Sequence, residues 1–144
     1  MSERFDIRSH KGPYEVLFDP AEVAVPAEAH VIIDERVASL HGARLDDLLA
    51  RPTVLRLEAT EDAKSLERFP AYVEHLIDWG IRRDHVLVAV GGGIIQDITC
   101  FLAATLLRGV AWRFYPTTLL AQADSCIGSK SSVNCGSAKN ILGT

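Results

Sequence analysis

The stretch 85-HVLVAVGGGIIQDITC-100 decides the fold. After His85 its first residues are all apolar and mostly β-branched, the composition of a strand covered on both faces, as in the middle of a parallel sheet. Three consecutive glycines stop that run. The chain then continues from Ile94 to Leu107 with Asp97 as its single charge before Arg108. A segment apolar almost all round is expected to be a buried helix, here ending near Gly109. A strand that enters a glycine turn and opens a helix presents free backbone N–H groups and the positive end of a helix dipole at the sheet edge. That arrangement suits a diphosphate, although glycines also serve a tight strand-to-helix turn. The pattern is GGGxxxD, not GxGxxG, and no acid stands at the customary distance after a following strand to hold a ribose. Asp97 either complements the dipole or faces a ligand. The apolar surroundings favour the ligand, because an ionised carboxylate buried among them without a partner is costly.

Working outward, "YEVLFD" (14–19), "AHVIID" (29–34), "TVLRLEA" (53–59) and "VAWRFYP" (110–116) read as further strands, with Pro20, Pro26 and a helical "LDDLLARP" between the first three. "EDAKSLERFPAYVEHLIDWG" (61–80) places Leu66, Phe69, Val73, Leu76 and Ile77 at amphipathic spacing, with Gly80 as the stop. Pro70 inside it predicts a kink or a late start. "TTLLAQADS" after Pro116 predicts a short helix opened by Thr117 or Thr118. Alternating strands and helices predict an α/β fold: a Rossmann-like open, mostly parallel sheet with flanking helices and right-handed crossovers. No linker or repeat divides the 144 residues, and "KNILGT" stops with no closing strand or helix. The expectation is one domain over 1–144, an incomplete fold that is the N-terminal part of something larger.

Bulk composition narrows the function. The chain is 48% apolar with a net charge of −4, which gives no reason to expect nucleic acid or an anionic membrane surface. The run from Ile98 to Leu107 is too short to span a bilayer, and the N-terminus has no apolar core, so a soluble, cytoplasmic protein is expected. Cys100, Cys126 and Cys135 are odd in number and lack CxxC spacing, arguing against disulfides and zinc knuckles. His10, His30, His41, His75 and His85 show no ligand spacing and are read as surface or loop histidines, so no metal site is assigned. By contrast, "PTTLLAQADSCIGSKSSVNCGSAKN" (116–140) gathers Asp124, Ser125, Lys130, Asn134, Lys139 and Asn140 in a stretch punctuated by Gly128 and Gly136. Read as a functional loop, it offers a carboxylate to align hydroxyls and cations and amides to hold a phosphate, as a sugar phosphate requires.

Taken together, "GGGIIQD", "AATLLRG", "YPTTLLAQADSCIGSK" and "AKNILG" resemble 3-dehydroquinate synthase and its relatives, the sugar phosphate cyclases, in order and spacing over residues 86–144. "ATEDAKSLE" (59–67) and "VIIDERV" resemble the family more weakly. The resemblance implies an NAD-dependent, divalent-metal-dependent lyase, typically a homodimer. It closes a seven-carbon sugar phosphate into a carbocycle by transient oxidation, phosphate elimination, re-reduction and an intramolecular aldol step. It places Asp34, Glu61 and Lys64 at the adenosine end of NAD, Gly92, Gly93 and Ile94 at the pyrophosphate, and Asp97 near the nicotinamide. Thr117, Thr118 and Leu120 fall along the cofactor and Lys139 close to cofactor and substrate. Asp124, Lys130 and Asn140 fall against the substrate, and Arg108 reaches a phosphate across the dimer. The family's zinc or cobalt ligands belong to a C-terminal helical domain that the chain lacks, so these residues alone are expected to bind at most part of the cofactor and to catalyse nothing.

The sequence departs from the family pattern at several points. Gln96 and Cys100 replace glycines, Arg36 stands where asparagine is common, and "SKSSVN" replaces a Gly-Lys-Thr-Gly run. These changes leave NAD binding intact as an expectation and bear on which sugar phosphate is used. The leading reading is the NAD-binding portion of a 3-dehydroquinate synthase of the shikimate pathway, serving aromatic amino acid biosynthesis. The alternatives are a cyclase of secondary metabolism, similar to 2-deoxy-scyllo-inosose or 2-epi-5-epi-valiolone synthase, and an inactive nucleotide-binding module. A glycerol-dehydrogenase-like oxidoreductase is disfavoured by Lys130 and the Lys139–Asn140 pair, since simple alcohols carry no phosphate.

Overall fold

The structure, a computed structural model, describes residues 3–18 and 23–144. Its centre is a four-stranded parallel sheet in the order β4-β3-β5-β6, built from β3 (Ala29–Asp34), β4 (Val54–Leu57), β5 (Val86–Gly91) and β6 (Ala111–Pro116). An antiparallel hairpin of β1 (Glu3–Ser9) and β2 (Gly12–Phe18) precedes it. The expected α/β class and parallel sheet are thus present. Asp19 and Pro20, which end and follow the first expected strand, lie outside the described residues.

Side chains alternate across the sheet, and each set finds its own helices. Ile32, Leu87 and Ala89 pack with Ile95, Ile98 and Leu102 of α4 (Gly93–Thr105) and with Phe69, Tyr72 and Leu76 of α3 (Phe69–Asp78). On the opposite face Val31, Ile33, Val88 and Val90 meet Ala38 of α1 (Glu35–His41) and Leu48 of α2 (Asp46–Leu49). Both faces of β3 and β5 are therefore sealed, which is why β5 is apolar up to its glycine and β3 is apolar from Val31 to Ile33.

Four expectations need correction. The segment 61–80 is not one helix: tight 3₁₀ turns at Asp62–Lys64 and Leu66–Arg68 precede α3, which starts at Phe69 with Pro70 in its first turn, where a missing N–H costs nothing. Ile77 of that stretch is 61% exposed and lies off the buried face. The N-terminal residues form a strand that was not expected, because β1 is largely exposed and its charged residues mask the alternation. The 116–140 stretch and "KNILGT" are not wholly loop. Val133–Cys135 (β7) and Ala138–Leu142 (β8) pair antiparallel around Gly136, whose φ of 57° suits a tight turn.

His30 is a further correction. It is 2% exposed at the start of β3, stacks on His85 and Trp79, and its Nε2 lies 3.0 Å from His85 Nδ1. The expected helix after Pro116 is present but widens at its end: Thr118 Oγ1 accepts from the Ala121 amide, and Ala121–Ser125 is a π-helical turn closed by the Cys126 amide on the Ala121 carbonyl.

Candidate functional site

The order β4-β3-β5-β6 sends successive connections to opposite sides of the β3–β5 pair, so the crevice of this open sheet lies at the carboxyl ends of those two strands. The glycine turn stands there, and its three members have different duties. A Cβ on Gly91 would meet Ile95 Cγ1 at 2.6 Å and Asp34 Cβ at 3.4 Å. A Cβ on Gly92 would meet Thr118 Cγ2 at 2.9 Å. Gly93 has nothing within 4 Å of that position and is exposed. The first two glycines allow strand, helix and the 117–118 bend to close on one another. Gly93 leaves the head of α4 open. The N-cap, Gly92, supplies no side-chain cap, so the first amides of this 13-residue helix keep their donors for a ligand. A dinucleotide's diphosphate fits that cradle.

Beside the turn lies a polar network that no single stretch of sequence reveals. Lys64, 7% exposed at its side chain, donates from Nζ to Asp97 Oδ2 at 3.2 Å and to Asn140 Oδ1 at 3.0 Å, with Glu61 Oε2 3.7 Å away. The other Asp97 oxygen accepts from the Ser132 amide at 3.0 Å. Asn140, at φ 54°, is held further by Ser132 Oγ and by Asn134, whose Oδ1 accepts the Asn140 amide at 2.8 Å. Asn134 in turn donates to Glu61 Oε2 at 3.1 Å. The β7–β8 hairpin is thereby pinned to the 3₁₀ turn, an attachment completed by the Gly136 amide on Glu67 and the Ser65–Asn134 bridge.

Burial dominates the electrostatics of Asp97. It pushes the carboxyl above its ordinary range, against the pull of the Lys64 charge, the Lys64 hydrogen bond and the Ser132 amide, while Glu61 adds to the rise. The lone carboxylate of the apolar helix is therefore partnered by Lys64 and Ser132 as well as lying four residues beyond the open glycine.

The expected site residues divide into groups. Glu61, Lys64, Asp97 and Asn140 meet in one network, and Gly92 touches Thr118. Ile94 is half-buried in the first turn of α4, with Thr117, Leu120 and Lys139 exposed. The Thr117 amide bonds the Gly91 carbonyl at 2.9 Å. Asp34 borders Gly91 and spends one carboxylate oxygen capping α1 through the Arg36 amide at 2.9 Å. Asp124 is exposed within the π turn, and Lys130 is exposed on the segment between that turn and β7. Arg108 is exposed beyond the far end of α4, roughly 20 Å from Gly93 by helix rise, so it joins none of these within one chain. Ser132 is the member missed by sequence reasoning, and only its contacts single it out; Asn134 stood in the functional loop without a role of its own.

A family model described as 3-dehydroquinate synthase N-terminal matches residues 54–144, which hold the glycine turn, Lys64, Asp97 and Asn140. The chain belongs to the 3-dehydroquinate synthase family. It is similar to the 3-dehydroquinate synthase of Cereibacter sphaeroides, 43% identical over 117 residues, covering 78% of this chain and 32% of the relative. It is also similar to that of Bordetella pertussis, 41% identical over 145 residues, covering 93% of this chain and 39% of the relative. Solved structures of the family resemble it too. The 2-epi-5-epi-valiolone synthase ValA of Streptomyces hygroscopicus subsp. jinggangensis, with NAD+ and Zn2+ bound, aligns with a TM-score of 0.70 at 31% identity, covering 88% of this chain and 42% of that one. A 2-deoxy-scyllo-inosose synthase complexed with carbaglucose-6-phosphate, NAD+ and Co2+ aligns with a TM-score of 0.68 at 30% identity, covering 81% and 34%. The chain thus spans between about a third and two fifths of the length of these family members. Among the described residues no three His, Cys, Asp or Glu side chains gather where they could hold a metal. No helix among them is long and apolar enough to cross a membrane.

Proposed function

We propose that the chain is the NAD-binding portion of a sugar phosphate cyclase of the 3-dehydroquinate synthase type. Such an enzyme converts 3-deoxy-D-arabino-heptulosonate 7-phosphate to 3-dehydroquinate and phosphate. The observation that carries the reading is the open Gly93 at the head of α4 with the Lys64–Asp97–Asn140 network beside it. When bound, NAD+ would supply reversible oxidation of a ring hydroxyl. The chain's own part is positional and electrostatic. The amides at the start of α4 hold the diphosphate, and Asp34 borders the same turn. Lys64 and the Ser132 amide fix Asp97 at the crevice, and Asn140 shares the Lys64 ammonium. Lys130 and Lys139 offer exposed cations to a phosphate, and Asp124 an acceptor to sugar hydroxyls. Arg108, too distant to serve this crevice, is assigned to the site of a second copy in a homodimer.

A second reading keeps the family and changes the substrate. It is favoured by Gln96, Cys100 and the Ser129–Asn134 segment, which border the substrate residues and depart from the family pattern described above. In that reading the substrate is glucose 6-phosphate or sedoheptulose 7-phosphate. The deciding experiment assays release of inorganic phosphate from all three sugar phosphates, with NAD+ and Co2+ or Zn2+. It is run on the 144 residues alone and on a polypeptide carrying the remaining length of the relatives. Turnover is expected only from the longer chain and with the seven-carbon deoxy acid. Phosphate release by the 144 residues alone would refute this account, and NAD+ binding without turnover in any form would favour a nucleotide-binding module.

A further inference from the structure

Three side chains of α4 reach the segment that joins the π turn to β7. Gln96 donates from Nε2 to the Ser125 carbonyl, Asp97 accepts from the Ser132 amide, and Cys100 donates from Sγ to the Ser129 carbonyl at 3.3 Å. Positions 96 and 100 are one helical step apart on a shared face, so the two donors lie in a row along the path of the segment. Both residues are 4% exposed, which rules out direct contact with a sugar phosphate in solution. Burial pushes the Cys100 thiol up, so it keeps the hydrogen it donates.

The three attachment points bracket Lys130 and begin one residue after Asp124. A polypeptide with glycine at 96 and 100 has neither side-chain bond to the segment 125–129. We propose that Gln96 and Cys100 are positioning residues that fix Asp124 and Lys130 relative to the glycine turn, so that one helix registers both the cofactor and the sugar phosphate. The inference rests on the function proposed above for its substrate, but its structural half stands independently of that. Loss of either bond frees the segment to drift from the register that suits a particular phosphate-to-hydroxyl distance. The cofactor cradle, built from Gly92, Gly93 and Thr118, is untouched by it.

The test uses Gln96→Glu, which keeps the shape and removes the donor, Cys100→Gly, and Cys100→Ser, which restores a donor. Amide hydrogen exchange in the 144-residue chain is expected to rise about tenfold over residues 125–132 in the first two, with residues 86–98 unchanged and Cys100→Ser near the parent. Unchanged exchange over 125–132 in both Gln96→Glu and Cys100→Gly would overturn the positioning role. In the turnover-competent longer polypeptide, KM for the sugar phosphate is expected to rise about tenfold with KM for NAD+ within about twofold, and Cys100→Ser to recover the parent value. Parallel rises in both KM values would overturn the separation of substrate register from cofactor cradle. Exchange that responds as expected, while the longer polypeptide turns over none of the three sugar phosphates, would instead sink the proposed function and leave the clamp standing.

Discussion

The Lys64 ammonium and the Asp97 carboxylate meet at 3.2 Å across 33 residues of sequence, the lysine side chain 7% exposed and the aspartate 20%. That pair joins the 3₁₀ turn before α3 to the helix that carries the glycine turn, and through Asn140 it fastens the last hairpin as well. Its value is structural first, because it sets where the polar wall of the crevice stands.

Removing one partner of a buried pair leaves the other charge uncompensated, which typically costs about 3–5 kcal/mol. Asp97 retains some water, so Lys64→Met is expected at the low end, about 3 kcal/mol by urea unfolding. Asp97→Leu in the same background is expected to recover part of the loss. A change below about 0.5 kcal/mol in Lys64→Met would mean that the pair is solvated and the network loose.

The titration of Asp97 offers a second check. Burial raises its carboxyl and Lys64 is the largest influence lowering it. Its side-chain carbon, followed by NMR, is expected to titrate above the ordinary aspartate range, and higher still in Lys64→Met. A fall in Lys64→Met would contradict the assigned geometry.

His30 makes stability depend on pH in the opposite sense to a salt-bridged histidine. Burial, then His85, then Arg51 hold its pKa below the ordinary imidazole value of 6.5. The unfolded chain therefore binds the proton first as pH falls, so the contribution present above about 6.5 is lost between there and the lower folded value. The urea midpoint is expected to fall from pH 7.5 to pH 5, and His30→Leu to flatten the part of that slope due to His30. An unaltered slope in His30→Leu would assign the effect elsewhere.

The glycines separate packing from binding. Gly91→Ala drives a methyl into the fully buried Ile95 and is expected to cost about 1–3 kcal/mol. Gly93→Ala faces open space at the first helical position, so stability is expected to hold or rise by up to about 1 kcal/mol. The same methyl stands where a diphosphate must approach the main chain, and NAD+ affinity is expected to drop roughly tenfold. Equal affinity in Gly93→Ala and the parent would remove the cradle from the site.

Local patterns carried most of the fold into view. The apolar runs 31–33 of β3 and 86–90 of β5 disclose a doubly covered sheet, Gly80 and Gly109 end their segments at φ 70° and 119°, and Pro70 marks a helix start. What stayed hidden depends on partners distant in sequence. The β7–β8 hairpin is short, polar and tied down by Glu61, Ser65 and Glu67, so its own residues read as loop. His30 lies inside because Trp79 and His85 cover it, which no spacing of histidines announces. Of the site, the glycine turn was legible because a bare backbone is a local requirement. The Lys64–Asp97 pairing was not, because a helix and a 3₁₀ turn had to be brought together first.

The most direct test is calorimetric titration of NAD+ and ADP-ribose into the 144-residue chain, beside Gly93→Asp. The account predicts saturable binding of both ligands to the parent, and none to Gly93→Asp, which sets a carboxylate against the diphosphate at the head of α4. Failure of the parent to bind either ligand, or undiminished binding by Gly93→Asp, would contradict it.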